Sequence, residues 1–141
     1  MTVRLLVGED VAADAAEVFA VLTDWPRHRE WMLLTRAEVT RGDGRSAGSS
    51  LSAFTGVGPL GFVDTMEITG WDPPRSVSVR HTGRLVRGTG VFRLLPRPGG
   101  CRVEWEERLE VPLPVLWPLM RPVLAVFFRT SLRRLAALTP R

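Results

Sequence analysis

The chain has 141 residues, of which 45% are hydrophobic and 24% charged. That balance suits a single globular domain over residues 1–141 and excludes a disordered tail or a membrane bundle. The formal charge of +4 comes from arginine alone, since there is no Lys, Asn, Gln or Tyr and one Ile, Ile68; codon usage in a high-GC genome explains this. The arginines are scattered from Arg4 to Arg141 and interleaved with Glu104, Glu106 and Glu110, so no basic stripe marks a nucleic-acid partner.

Val3 to Glu9 is β-prone and reads as a first strand. It is too short an apolar run for a signal peptide and reaches two acids, Glu9 and Asp10, at once. Asp14 stands three residues before Glu17 and opens a helix over Ala15 to Leu22, with Val18, Phe19 and Leu22 as the buried stripe. Pro26 suits the first turn of a second short helix running through Trp31. His28, set among Arg27, Arg29 and Glu30, is expected to face solvent. Trp25 and Trp31 are expected either to pack or to form a lid.

Six strand-like runs follow, separated by turn chemistry: Arg36 to Arg41, Ser49 to Thr55, Phe62 to Trp71, Ser76 to Thr82, Leu85 to Leu95 and Cys101 to Val111. Their short connections predict an antiparallel meander. The lone cysteine, Cys101, forms no internal disulfide and has no second thiol for a metal or redox motif; with the N-terminus this points to a cytoplasmic protein. The chain ends in Leu116 to Leu138, where Met120, Leu124, Phe127, Ser131, Leu135 and Leu138 recur at spacings of three and four. One long amphipathic helix results, with a kink or a late start at Pro118 and Pro122. Arg121 and four prolines interrupt the apolar window Val111 to Phe128, which argues against an integral membrane segment.

A twisted sheet of seven strands with one apolar face buries that face by curling around the terminal helix, while the two short helices close one end. The expected class is α+β. The pattern Ala12 to Asp24 with Trp25 and Trp31 after it, the hairpin Trp71-Asp-Pro-Pro-Arg-Ser-Val-Ser-Val-Arg-His81, and the closing helix together resemble the START-like, or helix-grip, superfamily (SRPBCC), on its polyketide cyclase/dehydrase and lipid transport branch. The resemblance covers nearly the whole chain. It implies a seven-stranded curved antiparallel sheet around a long C-terminal helix, and it carries no fixed catalytic set.

Strand alternation names the residues that face inward. In Cys101 to Val111 the odd positions, including Val103, Trp105, Glu107 and Leu109, share one face, and the charged even positions share the other. The same test turns His81 inward with Val79, and Asp64 inward with Phe62 and Met66. Phe92 and Leu94 turn Gly88 and Gly90 inward. Register set by the turns places His81 opposite Gly88 and Glu107 opposite Gly90, so His81 and Glu107 are expected to face each other across a notch on the order of 10 Å wide. A bulge in either hairpin would dissolve this cluster.

The expected cavity is therefore lined by Phe62, Met66, Val79, Phe92, Trp105, Met120, Leu124 and Phe127, with Asp64, His81 and Glu107 as its polar groups. One inward histidine is too few for zinc, so no metal is assigned, and no motif calls for a cofactor. Few polar groups in a mostly apolar pocket point to binding of a small hydrophobic ligand, lipid-like or of aromatic polyketide type. The rival readings are an aromatase/cyclase moving protons through His81 or Glu107, and a docking surface on the proline-rich segment Val111 to Pro122.

Overall fold

The protein is described by a computed structural model over residues 1–139. Strand β1 (Thr2–Val11) leads into α1 (Ala15–Leu22), which is capped as its sequence predicts: Asp14 Oδ1 accepts the Glu17 N–H at 2.9 Å, satisfying a donor that has no partner inside the helix. A 3-10 turn over Trp25–Arg27 runs into the single-turn α2 (His28–Trp31). The meander follows as β2 (Thr35–Arg41), β3 (Ser50–Val57), β4 (Leu60–Asp72), β5 (Ser76–Thr82), β6 (Arg87–Arg97) and β7 (Gly100–Glu110). After a second 3-10 turn at Pro114–Leu116 the chain ends in α3 (Trp117–Leu138).

All seven strands form one antiparallel sheet in the order β1-β7-β6-β5-β4-β3-β2. Strand β6 begins at Arg87 rather than Leu85, because Leu85 and Val86 belong to the hairpin tip. A bulge falls in β4 between Ile68 and Gly70, which returns Trp71 to the inner face beside Ile68, where its ring meets Phe19 edge-on at 5.1 Å. The bulge lies beyond Phe62, Asp64 and Met66, so their shared face is undisturbed.

Helix α3 starts at Trp117, ahead of both prolines rather than after them. Pro118 lies in the first turn, where a missing N–H costs nothing, and Pro122 lies inside the helix. The core face of α3 keeps Ser131 and Leu135 of the expected stripe but is displaced toward its N-terminal part, where Ala125 and Phe128 are buried in place of Leu124 and Phe127. Ala125, Phe128, Ser131, Leu132 and Leu135 are the buried residues, and Phe128 stacks on Trp105 with ring centroids 4.0 Å apart. Ser131 also accepts the Leu33 N–H on Oγ at 3.1 Å, tying the segment after α2 to the helix. By length and a mean hydropathy of 1.2 the stretch Pro114–Leu138 is long and apolar enough to cross a membrane. Its C-terminal half is instead the central packing element of the domain.

Candidate functional site

Four neighbouring strands build the polar centre of the inner face, with side chains from β4, β5 and β7 and a gap at β6. His81 on β5 pairs in register with Met66 on β4 and with Gly88 on β6, while Gly90 on β6 lies between Val79 and Glu107. Gly88 has φ of 129°, a conformation that disfavours any residue with a Cβ, and a Cβ there would strike the Arg108 carbonyl. A Cβ at Gly90 would overlap the Glu107 carboxylate. Gly90 thus clears a lane across β6 for Glu107, and Gly88 lets the β6 backbone approach β7 closely.

Glu107 and His81 lean into that lane until they touch. His81 Nε2 lies 2.8 Å from Glu107 Oε1, and Nδ1 lies 2.9 Å from Asp64 Oδ1. The expected 10 Å notch is therefore closed by the side chains themselves, because strand spacing sets the distance between backbones and not the reach of two long groups over glycines. Both imidazole nitrogens face carboxyl oxygens, and with both acids ionised each nitrogen donates, making His81 an imidazolium.

The electrostatics agree with this assignment. Burial alone would lower the His81 pKa, but the hydrogen bonds and negative charge of Asp64 and Glu107 outweigh it and raise it to about 10. Burial pushes the Glu107 carboxyl upward, with Asp64 adding to the rise and His81 opposing it. Two acids thus meet one cation in an enclosed place. The imidazolium has spent both N–H groups, so what remains for another molecule is carboxylate oxygen, a hydrogen-bond acceptor. No lone pair on His81 is free for a metal, and no group of three His, Cys, Asp or Glu side chains among the described residues is arranged to hold one.

This cluster sits in the wall of a cavity of about 600 Å³ enclosed between sheet and helix. Strand β4 contributes Phe62, Asp64 and Met66, β5 contributes Val79 and His81, β6 contributes Phe92, β7 contributes Trp105 and Glu107, and α3 contributes Met120, Leu124 and Phe127. Every residue expected to line the cavity or to form its polar group borders the one space. Phe62 and Met120 are partly exposed and stand at its mouth.

Sequence reasoning placed His28 wrongly. It is buried, its ring lies between Trp25 and Trp31 at 4.9 and 4.8 Å, and it borders the cavity. Its Nε2 is 2.8 Å from the Leu22 carbonyl oxygen and must donate to it. Burial then drives the ring neutral, lowering its pKa to about 4, and leaves Nδ1 as an acceptor. The signal was the spacing of Trp25, His28 and Trp31, three residues apart on one face of a tight turn, which the charged neighbours obscured. Neither tryptophan is a lid. Trp25 Nε1 donates to the Gly44 carbonyl at 2.8 Å, and Trp31 is fully buried against Phe92 and Trp105, its indole N–H without a partner among the described residues.

A family model described as polyketide cyclase / dehydrase and lipid transport matches residues 3–139. An uncharacterized protein of Mycobacterium tuberculosis is 29% identical over 141 aligned residues, covering 92% of this chain and 80% of its own. Among solved structures, the protein MLL2253 of Mesorhizobium loti superposes with a TM-score of 0.77 at 15% identity over 96% of both chains. The di-domain ARO/CYC StfQ of the steffimycin biosynthetic pathway superposes with a TM-score of 0.76 at 14% identity, covering 99% of this chain and 51% of that one. The seven-stranded sheet gripping a long C-terminal helix is thus a helix-grip fold.

Proposed function

The chain belongs to the polyketide cyclase / dehydrase and lipid transport family, and on that footing we propose that it binds a small, largely apolar molecule carrying a hydrogen-bond donor. The observation that carries this reading is the Asp64–His81–Glu107 cluster in the wall of the 600 Å³ cavity. An apolar space with a few convergent polar groups suits a small ligand, and here the polar groups accept. A hydroxyl, phenol or amine is matched to them, and an ammonium also balances the surplus negative charge. A carboxylate or phosphate would meet two carboxylates and be rejected. A cytoplasmic location belongs to the same reading, in keeping with the single buried thiol of Cys101.

The raised Glu107 carboxyl supports a second reading, a cyclase in which Glu107 exchanges protons with a folded polyketone. His81 is a poor base for that chemistry at neutral pH, because its lone pair is already protonated.

Binding of three naphthalenes of like shape tests the proposal. 2-Naphthol should bind more tightly than 2-methoxynaphthalene by about 1.5–3 kcal/mol, the worth of one hydrogen bond to a charged acceptor, and 2-naphthoate should bind weakest. Equal affinities, or a preference for naphthoate, would contradict the ligand class. Native mass spectrometry of protein isolated from its own host then identifies any co-purifying molecule, and turnover of a polyketone that Glu107→Gln abolishes would favour the cyclase.

A further inference from the structure

The two ends of the sheet carry different surfaces. At the end bearing the β1–α1, β4–β5 and β6–β7 connections, charges are matched: Asp10 is held by Arg97 and Arg102, and Asp72 by Arg75. At the other end the cavity opens, and its rim is apolar and uncovered. Leu85, Leu113, Leu116 and Val123 border the cavity while remaining exposed. Leu60 at the β3–β4 tip, Leu85 at the β5–β6 tip and Leu119 on α3 are 79%, 75% and 73% exposed. Monomers rarely leave so many large apolar side chains together in water without a partner.

The charges around this rim are mostly positive. Arg84 and Arg87 flank Leu85, and Arg121 follows Met120; all three are exposed, and among the described residues none forms an ion pair. From Val111 onward the sequence contains no Asp or Glu. Glu110 is the exposed acid at the mouth, and it accepts a hydrogen bond from Thr2.

We infer that the cavity mouth docks on an anionic lipid surface, with Leu60, Leu85 and Leu119 entering the interface and Arg84, Arg87 and Arg121 meeting the headgroups. Charge complementarity selects this occupant. A second copy would set arginine against arginine, and a folded protein would need polar partners matched to three separate tips, whereas a fluid interface accepts apolar side chains from each. The geometry also gives the docking a use. Because the cavity opens within the docked face, an apolar molecule passes between bilayer and cavity without crossing water. This use rests on the ligand-binding reading, but the docking does not.

Co-sedimentation with vesicles of phosphatidylcholine alone, and of equal parts phosphatidylcholine and phosphatidylglycerol, tests the inference. The protein should bind the anionic vesicles, bind the neutral ones far less, and be released as salt rises. Each arginine at an anionic surface strengthens binding about fivefold, so Arg84→Gln with Arg121→Gln should weaken it about 25-fold. Leu119→Glu should weaken it about tenfold or more. None of these residues borders the cavity, so 2-naphthol binding and thermal stability should be unchanged in the variants. Failure to bind anionic vesicles, or equal binding to both kinds that the variants leave intact, overturns the inference. A dimer that Leu119→Glu dissolves, without vesicle binding, would assign the rim to a second copy. Vesicle binding without naphthol binding would leave the docking standing and remove the ligand reading.

Discussion

Glu106 and Glu107 are consecutive residues on β7, and the sheet sends them to opposite worlds. Glu106 points outward and is covered by arginine: Arg4 and Arg93 donate to its two oxygens, and Arg108 lies 3.2 Å away. Those hydrogen bonds hold its carboxyl down at about 2 against a small opposing effect of burial. Glu107 points inward, where burial pushes its carboxyl up and a single imidazolium is shared with Asp64. Both side chains are nearly inaccessible, but Glu107 lies deeper, so burial weighs more on it, and the number and exposure of their cations differ as well. Three solvent-reaching guanidiniums saturate one carboxylate, whereas one enclosed imidazolium leaves an anionic remainder on the cavity wall.

The largest expected effect comes from removing the inner cation. His81→Ala leaves Asp64 and Glu107 facing each other in an apolar wall, which should cost about 3–5 kcal/mol at neutral pH by chemical denaturation. The deficit should shrink on acidification as Glu107 takes up a proton. Because His81 has a folded pKa of about 10 against 6.5 for the free side chain, its stabilisation is full below about 6.5 and is lost as pH rises through about 10. His81→Ala should abolish that alkaline fall in stability, and an unchanged profile would break the comparison on its inner side.

Glu106→Gln should cost about 1–2 kcal/mol, less than a buried pair, because its arginines are well exposed and screened by water. Its folded pKa is depressed, so its contribution is present above about 4.5 and is lost as pH falls toward about 2. The acid limb of the stability curve should flatten in this variant.

Gly90→Ala should cost about 1 kcal/mol, since the Cβ meets the movable end of Glu107 rather than backbone. It should push that carboxylate off His81 and lower the imidazolium pKa, readable by NMR titration. The smallest change in stability belongs to Glu107→Gln, within about 1 kcal/mol of the parent, because Asp64 still balances His81. That variant should nevertheless lose most of the preference for 2-naphthol over 2-methoxynaphthalene. A large loss of stability would make Glu107 an architectural residue instead.

The face of Glu107 was legible because β7 alternates strictly from Cys101 to Glu110, and its partner row was legible because short turns fix register between β5, β6 and β7. The contact itself was not, since strand spacing says nothing of how far two side chains lean over glycines. The burial of Glu106 was equally hidden. Its outward direction follows from alternation, but the converging arginines come from β1, β6 and β7, and their meeting depends on β1 pairing beside β7. His28 was lost to the charges around it. On α3 the apolar residues lie on more than one face, so periodicity alone put the core stripe beside Leu124 and Phe127 when Ala125, Phe128 and Leu132 form its centre.

The account turns on His81 being an imidazolium clamped between two carboxylates, since that is what leaves only acceptors for a ligand. Nitrogen-15 NMR of the imidazole reads this directly. Both ring nitrogens of His81 should be protonated at neutral pH and should remain so until the pH nears about 10, while His28 stays neutral down to about 4. A His81 ring that carries one proton at neutral pH and titrates near its ordinary 6.5 would contradict the account.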